Sequence, residues 1–237
     1  VVEAQCLRRK AQPVMRRVVV VCEGPTEEAV ISRVLCPAFV GLGLHLQGIT
    51  VETSPGHKGG AMRYDRLRPA LRNALANGRV VAVTMLVDLY KLAPDFPGYA
   101  TAMAQSGLAA KLAALQSALH ADLVAHCRCN PARFIPHVQP HEFEALLFSD
   151  VETLAAVESG WSAALAELTR ARASAPTPEH INDGPATKPS ARLESLLRSP
   201  GYRKLRHGPI AAERMGLATL EAECPHFAAW LRKLRAL

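Results

Sequence analysis

The chain has no long apolar run. No run, Val18 to Cys22 included, exceeds five residues, against the roughly 18 that a membrane helix needs. Arg16-Arg17 stands in front of that run, but the run is too short for an export signal and Glu23 ends it, so the sequence predicts a cytoplasmic chain with no membrane contact. Aromatic residues make up only 5%, which argues against a base-stacking platform for single strands. No Gly-x-Ser-x-Gly elbow is present, which excludes that route to a nucleophilic serine. Gly41-Leu42-Gly43 follows a helix and never becomes a dinucleotide turn, and the Gly-rich loop Pro55-Gly56-His57-Lys58-Gly59-Gly60 lacks the Walker A pattern. The six cysteines, at 6, 22, 36, 127, 129 and 224, follow no disulfide framework and read as reduced thiols. His126-Cys127-Arg128-Cys129 has no second pair at finger spacing, so a zinc site is not expected there.

What is present is ordinary globular composition. Of 237 residues, 49% are apolar and 21% charged, which excludes a disordered chain, a collagen-like fibre and a coiled-coil rod. The net charge is +7, and Arg8, Arg9, Lys10, Arg16 and Arg17 against Glu3 put +4 of it in the first seventeen residues. A basic balance permits contact with nucleic acid or phosphate; a basic tail and solvated helix faces would give the same balance.

The pattern alternates strand and helix. Val18–Cys22 is β-branched and apolar on both faces, as in a strand buried within a parallel sheet. Gly24-Pro25-Thr26 breaks it, and Glu27 and Glu28 open a helix that Pro37 should bend or end. Weaker strand character covers Ile49–Val51, a helix Met62–Ala76, a third strand Val80–Val87, a helix Thr101–Val124 and a fourth strand Phe134–Gln139. Pro140-His141-Glu142 opens a further helix through Phe148. The reading is a basic segment 1–16, an α/β domain 17–150 with a largely parallel four-stranded sheet, and a mostly helical extension 151–237 packed on it. Trp161, Phe227, Trp230 and Leu231 are expected in the packing.

Parallel sheets bind ligands at the carboxyl ends of their strands. Three strands place acids there: Glu23 after the first, Asp88 after the third, and Glu142 and Glu144 after the fourth. Carboxylates converging from separate strands suit Mg²⁺ or Mn²⁺, hard cations that take oxygen ligands and polarise phosphoryl oxygens. Each acid alone has a bland reading, as a solvated strand end or a helix first turn.

Several segments together resemble a known family: Glu23-Gly24-Pro25-Thr26-Glu27, Asp88-Leu89-Tyr90 with Asp95-Phe96-Pro97-Gly98, and His141-Glu142-Phe143-Glu144 through Asp150. Pro178–Asn182, Lys188-Pro189-Ser190, Tyr202–Gly208 and Cys224–Phe227 extend the likeness over nearly the whole chain. The chain resembles a bacterial family of unknown function with a Toprim-like core, found near ATPases in mobile or phage-defence loci and related in fold to the overcoming-lysogenisation-defect nucleases. The resemblance implies a metal-dependent phosphodiester hydrolase, a nuclease acting on nucleic acid, with an ABC- or AAA-type ATPase as partner; a homo-oligomer is compatible with it. It implies Glu23 as general acid/base or metal ligand and Asp88 as the first aspartate of an Asp-x-Asp metal motif. Tyr90 stands where the second aspartate is expected; Glu142 or Glu144 could replace the lost ligand, as could Asp95 if its loop folds back over the site. If residues 142–144 are extended, the two glutamates share one face; if helical, they diverge. The alternative implied is a degenerate Toprim module that binds an ATPase or nucleic acid and catalyses nothing.

Lys204, Arg206 and His207 form the best phosphate-facing cluster, with His207 a candidate proton donor and Lys188 and Arg192 extending the surface. An exposed helix end rich in basic residues is the bland reading of the same segment. His57-Lys58-Gly59-Gly60 is a second candidate phosphate cradle. His141 reads equally as a ligand or a helix cap.

Overall fold

The computed structural model describes residues 15–51, 61–182 and 184–237. Most of the basic N-terminal segment and the Gly-rich loop with His57 and Lys58 lie outside the described residues.

Strand β1 (Arg16–Cys22) runs into helix α1 (Pro25–Val30). Pro37 has no N–H to continue the α-helical ladder, and the chain passes through a π-helical turn, Ile31–Leu35, before α2 (Cys36–Val40). Strand β2 (Leu44–Thr50), helix α3 (Tyr64–Ala76) and strand β3 (Val80–Asp88) follow. The single helix expected from Thr101 is two, α4 (Tyr99–Met103) and α5 (Leu108–Cys127), separated at Gly107, whose φ of +88° suits glycine alone. The fourth strand expected over Phe134–Gln139 is likewise divided, into β4 (Phe134–Ile135) and β5 (Val138–Gln139). Pro136 interrupts it because proline cannot donate to a ladder. Both pieces pair with β3, giving the order β2-β1-β3-β4 with β5 also on β3, all parallel.

The sheet is covered on both faces, as its all-apolar strands require. Alternation along β1 sends Val19 and Val21 into a cluster with Leu67 and Leu71 of α3 and Leu112, Leu115 and Leu119 of α5. Val18, Val20 and Cys22 face the opposite way, towards Ile31, Leu35 and Phe39. The same cluster takes in the later helices: α6 (Val151–Ala155), α7 (Leu165–Ala173), α8 (Pro189–Leu196), α9 (Lys204–Glu223) and α10 (Pro225–Arg235). Residues before and after 150 therefore share one core.

Polar contacts fix the join. Trp230 Nε1 donates to Thr84 Oγ1 inside β3 (2.8 Å), and Thr84 in turn donates to the Ile135 carbonyl. Buried Glu179 accepts from the first free amides of α10, His226 N and Phe227 N, both at 2.9 Å, where a carboxylate complements the helix dipole. The short sheet edge is closed by side chains: Val138 N donates to Gln116 (3.1 Å) and Val138 O pairs with His226 Nε2 (3.1 Å). At the other pole, Arg16 Nη1 donates to the Leu237 carbonyl (2.7 Å). Gly208 lets α9 approach closely, since a Cβ there would lie 3.2 Å from the Phe143 ring and 3.3 Å from Thr26 Cγ2.

His137 is buried between His226 (ring centroids 5.0 Å) and Trp230 (4.4 Å, near parallel). Burial, and then the neighbouring His226, holds its pKa well below the ordinary histidine value. Below about pH 6.5 the unfolded chain takes up a proton that folded His137 refuses, so stability falls with acidification by up to about 1.4 kcal/mol per pH unit. His137→Phe keeps the ring stack and removes the titration. Its melting temperature should therefore drop less than wild type's between pH 7.5 and 5.5; equal drops would show that His137 is not a source of acid lability.

Candidate functional site

The turn after β3 and the turn after β1 meet at the carboxyl end of the sheet. Glu23 reaches across to Asp88: its Oε1 accepts the Asp88 backbone amide at 2.7 Å. Asp88 Oδ1 accepts from Phe143 N at 2.8 Å, tying the end of β3 to the following segment. That segment is not the α-helix expected: Glu142 is extended (φ −143°, ψ 154°) and Phe143–Ser149 is a 3₁₀ helix. The two glutamates diverge. Glu142, 2% exposed, turns away from the Lys204 ammonium and pairs with Lys188 Nζ (2.7 Å) and Ser190 N (2.9 Å). Burial works against its ionised form, but these hydrogen bonds outweigh it and hold its carboxyl below the ordinary range. Glu144 turns inward and is 1% exposed.

A fourth acid joins the inward set. Glu27, one helical turn after Glu23, is 2% exposed while Glu28 faces solvent. Lys204, at the start of α9, reaches all but one of these acids: its Nζ lies 2.9 Å from Glu27, 3.3 Å from Glu144 and 3.7 Å from Asp88. Lys91, from the 3₁₀ turn Leu89–Lys91, lies 3.2 Å from Glu23 and 3.8 Å from Asp88. Four carboxylates thus face two ammoniums in a largely buried place, an excess of acids over bases that fully ionised side chains would turn into two unbalanced negative charges.

The proton affinities follow. Burial, then the charge of Glu23, raises the Asp88 pKa well above the ordinary carboxylate value. Burial likewise raises Glu23 and Glu144. Burial alone would lower Lys204, but Asp88, Glu144 and Glu27 outweigh it and hold the ammonium charged, well above the ordinary lysine value.

Among the described residues, no group of three or more His, Cys, Asp and Glu side chains stands ready to hold a metal ion; the Lys204 ammonium lies among the carboxylates instead. The donor set nevertheless suits a hard divalent cation. It consists of carboxylate oxygens, its charge excess equals that of one such ion, and buried Asp88 Oδ2 and Glu144 Oε1 lack hydrogen-bond donors among the described residues.

Other candidates go elsewhere. Asp95 Oδ2 caps α3 by accepting from Tyr64 N (3.0 Å) and so does not join the cluster. Arg206 and His207 both engage Glu158, at 2.7 and 3.3 Å, and His207 is 1% exposed with its ring edge against Trp161. His207 Nδ1 accepts from Arg203 N (2.8 Å), and burial lowers its pKa. These contacts make it a packed histidine at the base of α9, not a group free to donate a proton. Lys188 lies on Glu142 and 5.1 Å from the centre of the Tyr90 ring, and Arg192 donates to the Thr187 carbonyl. Glu27 and Lys91 were missed by sequence reasoning. Glu27 follows Glu23 at helical i+4 spacing, which was the available signal; Lys91 carried none.

Residues 22–235 match the model of a family described as a domain of unknown function, DUF4276, and the chain belongs to it. Among solved structures it is similar to the C-terminal region of the Burkholderia pseudomallei OLD protein, with 15% identity, a TM-score of 0.47, and coverage of 94% of this chain and 98% of that one. No curated protein matches.

The charge imbalance has two measurable consequences for folding. Asp88→Asn keeps an acceptor for Phe143 N and removes one surplus charge, so it should stabilise the fold by about 1 kcal/mol, roughly 2–4 °C in melting temperature for a chain of this size. Lys204→Met strands the acids and should cost about 2–3 kcal/mol, below the ~3–5 of a fully buried pair because the lysine keeps some exposure. Thermal melts of both variants check the signs; a destabilised Asp88→Asn would show that the cluster is electrostatically balanced.

Proposed function

We propose that this member of the DUF4276 family is a Toprim-like, Mg²⁺- or Mn²⁺-dependent phosphodiester hydrolase, a nuclease of a bacterial phage-defence or mobile-element system working with an ATPase. The observation that supports this reading is the excess of four acids, Glu23, Glu27, Asp88 and Glu144, over two lysines at the carboxyl ends of β1 and β3. A cluster built only for stability has no reason to bury carboxylates it leaves unbalanced, whereas perturbed carboxylates in a strand-end cleft are typical of functional sites. Glu23, Asp88 and Glu144, with Glu27, would hold the cation, and Glu142 would not, being committed to Lys188. A cation held by these residues would supply Lewis-acid polarisation of a phosphoryl oxygen. Lys91 and Lys204 stand beside the same acids and are placed to meet the negative charge of a phosphodiester and of its transition state. Glu23, with a raised proton affinity, is the candidate to move a proton to or from the attacking or leaving oxygen.

One observation favours a second reading. Lys204 Nζ is within 2.9–3.7 Å of three carboxylates, and with Tyr90 in place of a second aspartate the ammonium stands as a permanent substitute for the ion. The chain is then a binding module for an ATPase or nucleic acid. Calorimetric titration with Mn²⁺ separates the two. The hydrolase reading expects saturable binding by wild type, lost in Asp88→Asn although that variant is folded, and Mn²⁺-dependent cleavage of a mixed nucleic-acid substrate that falls at least 100-fold with it. Absence of Mn²⁺ binding in wild type, with or without nucleic acid present, overturns it in favour of the module.

A further inference from the structure

The turn that sends Lys91 into the acid cluster sends Tyr90 the other way. Tyr90 is 40% exposed and lines a cavity of about 450 Å³ with Tyr99 and Leu108 on its apolar walls and Lys111, His141 and Asn182 as its polar ones. That volume lies within the range of small-molecule sites, about 300–1,000 Å³. Leu89, which lines the cavity, is the residue next to Asp88 in the chain, so the cavity and the acid cluster lie on either side of one turn, with no acid of the cluster in the cavity wall.

The polar wall is set by a chain of hydrogen bonds. Asn182 Oδ1 accepts from Gly184 N (3.1 Å), which fixes the amide so that its Nδ2 faces His141 Nδ1 (2.9 Å). His141 Nδ1 is therefore an acceptor, and the ring carries its proton on Nε2. Among the described residues Nε2 has no protein partner, and neither does the Lys111 ammonium. His141 itself sits at φ +55°, an uncommon conformation for a residue with a Cβ. Its carbonyl accepts Tyr90 N at 3.0 Å, which locks the histidine to the tyrosine. Lys188, anchored on Glu142, holds the Tyr90 ring by a cation–π contact. Aromatic walls and two unpaired donors, pre-organised but unused by the fold, form the polar side of a recognition site.

We propose that this cavity binds a single nucleobase, guanine, of the nucleotide next to the phosphate held at the acid cluster; the inference rests on the phosphodiester reading of that cluster. A phosphate or carboxylate would gain little from the apolar walls, whereas a base has a face for Tyr90 or Tyr99 and an edge for the donors. Guanine offers two adjacent acceptors, N7 and O6, to Lys111 and His141 Nε2–H; adenine puts its N6 amino group, a donor, in the second position. The low aromatic content argues against a platform for many bases, whereas two tyrosines in one cavity suit a single base.

The test uses the full chain in EDTA, so that no divalent ion contributes, titrated with guanosine 5′-monophosphate, adenosine 5′-monophosphate and ribose 5-phosphate. The guanine nucleotide should bind saturably, at least about fivefold tighter than the adenine nucleotide and more than tenfold tighter than ribose 5-phosphate. Tyr90→Ala, at an exposed position, should weaken it about tenfold through lost stacking, and Lys111→Ala should erase the preference over adenine; melts confirm that both are folded. No saturable binding, equal binding of ribose 5-phosphate, or binding indifferent to Tyr90→Ala in a folded variant overturns the pocket. Asp88→Asn should leave guanine-nucleotide binding in EDTA intact while abolishing Mn²⁺ binding, so loss of either site is read separately from loss of the other.

Discussion

The ammonium of Lys204 lies among carboxylates that arrive on different elements: Glu27 from α1, Asp88 from β3 and Glu144 from the 3₁₀ helix. The lysine reaches that point because Gly208 brings α9 down onto Phe143 and Thr26, and because α9 shares a core with β1. The helical extension is thus part of the site and not an appendage to it. An α/β sheet alone would place Glu23 and Asp88 at its edge with only the Lys91 ammonium beside them.

Packing and electrostatics pull in opposite directions at this point. The all-apolar strands demand cover on both faces, and covering them buries the acids at their ends. Burial makes ionisation of Asp88, Glu23 and Glu144 costly, and two lysines offset only half of the charge. Glu142 shows the contrast within three residues: one lysine and one backbone amide satisfy it fully, and its proton affinity falls. The same local sequence therefore holds one acid that is at rest and one that is not. The conformation at 142–144 decides which is which, since extended Glu142 meets Lys188 and 3₁₀ Glu144 meets Lys204.

Much of this was legible in the residues. Valine runs at β1 and β3 announced parallel strands buried on both faces, and the strand ends announced Glu23 and Asp88. Punctuation was harder to weigh. Pro136 splits one expected strand into two, Gly107 splits one expected helix, and Pro37 produces a π turn instead of an end. The site was legible where its residues sit on strands and less so where tertiary packing decides. Glu27 read as a helix-dipole residue because its inward face depends on where α9 lies. Arg206 and His207 share a basic run with Lys204, but the helix turns them toward Glu158, and only Lys204 reaches the acids. Side-chain direction at a helix start cannot be taken from composition.

The Arg16–Leu237 contact has a bearing on how the molecule can be handled and assembled. It places the start of β1 and the last residue of the chain side by side at the amino-terminal pole of the sheet, while β1 delivers Glu23 at the other, about 20 Å away at ordinary strand rise. A tether, a reporter or a neighbouring domain joined after Leu237 therefore hangs from the back of the protein. The opposite pole, with Asp88 buried at the end of β3 and the Tyr90 cavity beside it, stays clear of such a joint, and immobilising the chain through residue 237 presents that pole to solution.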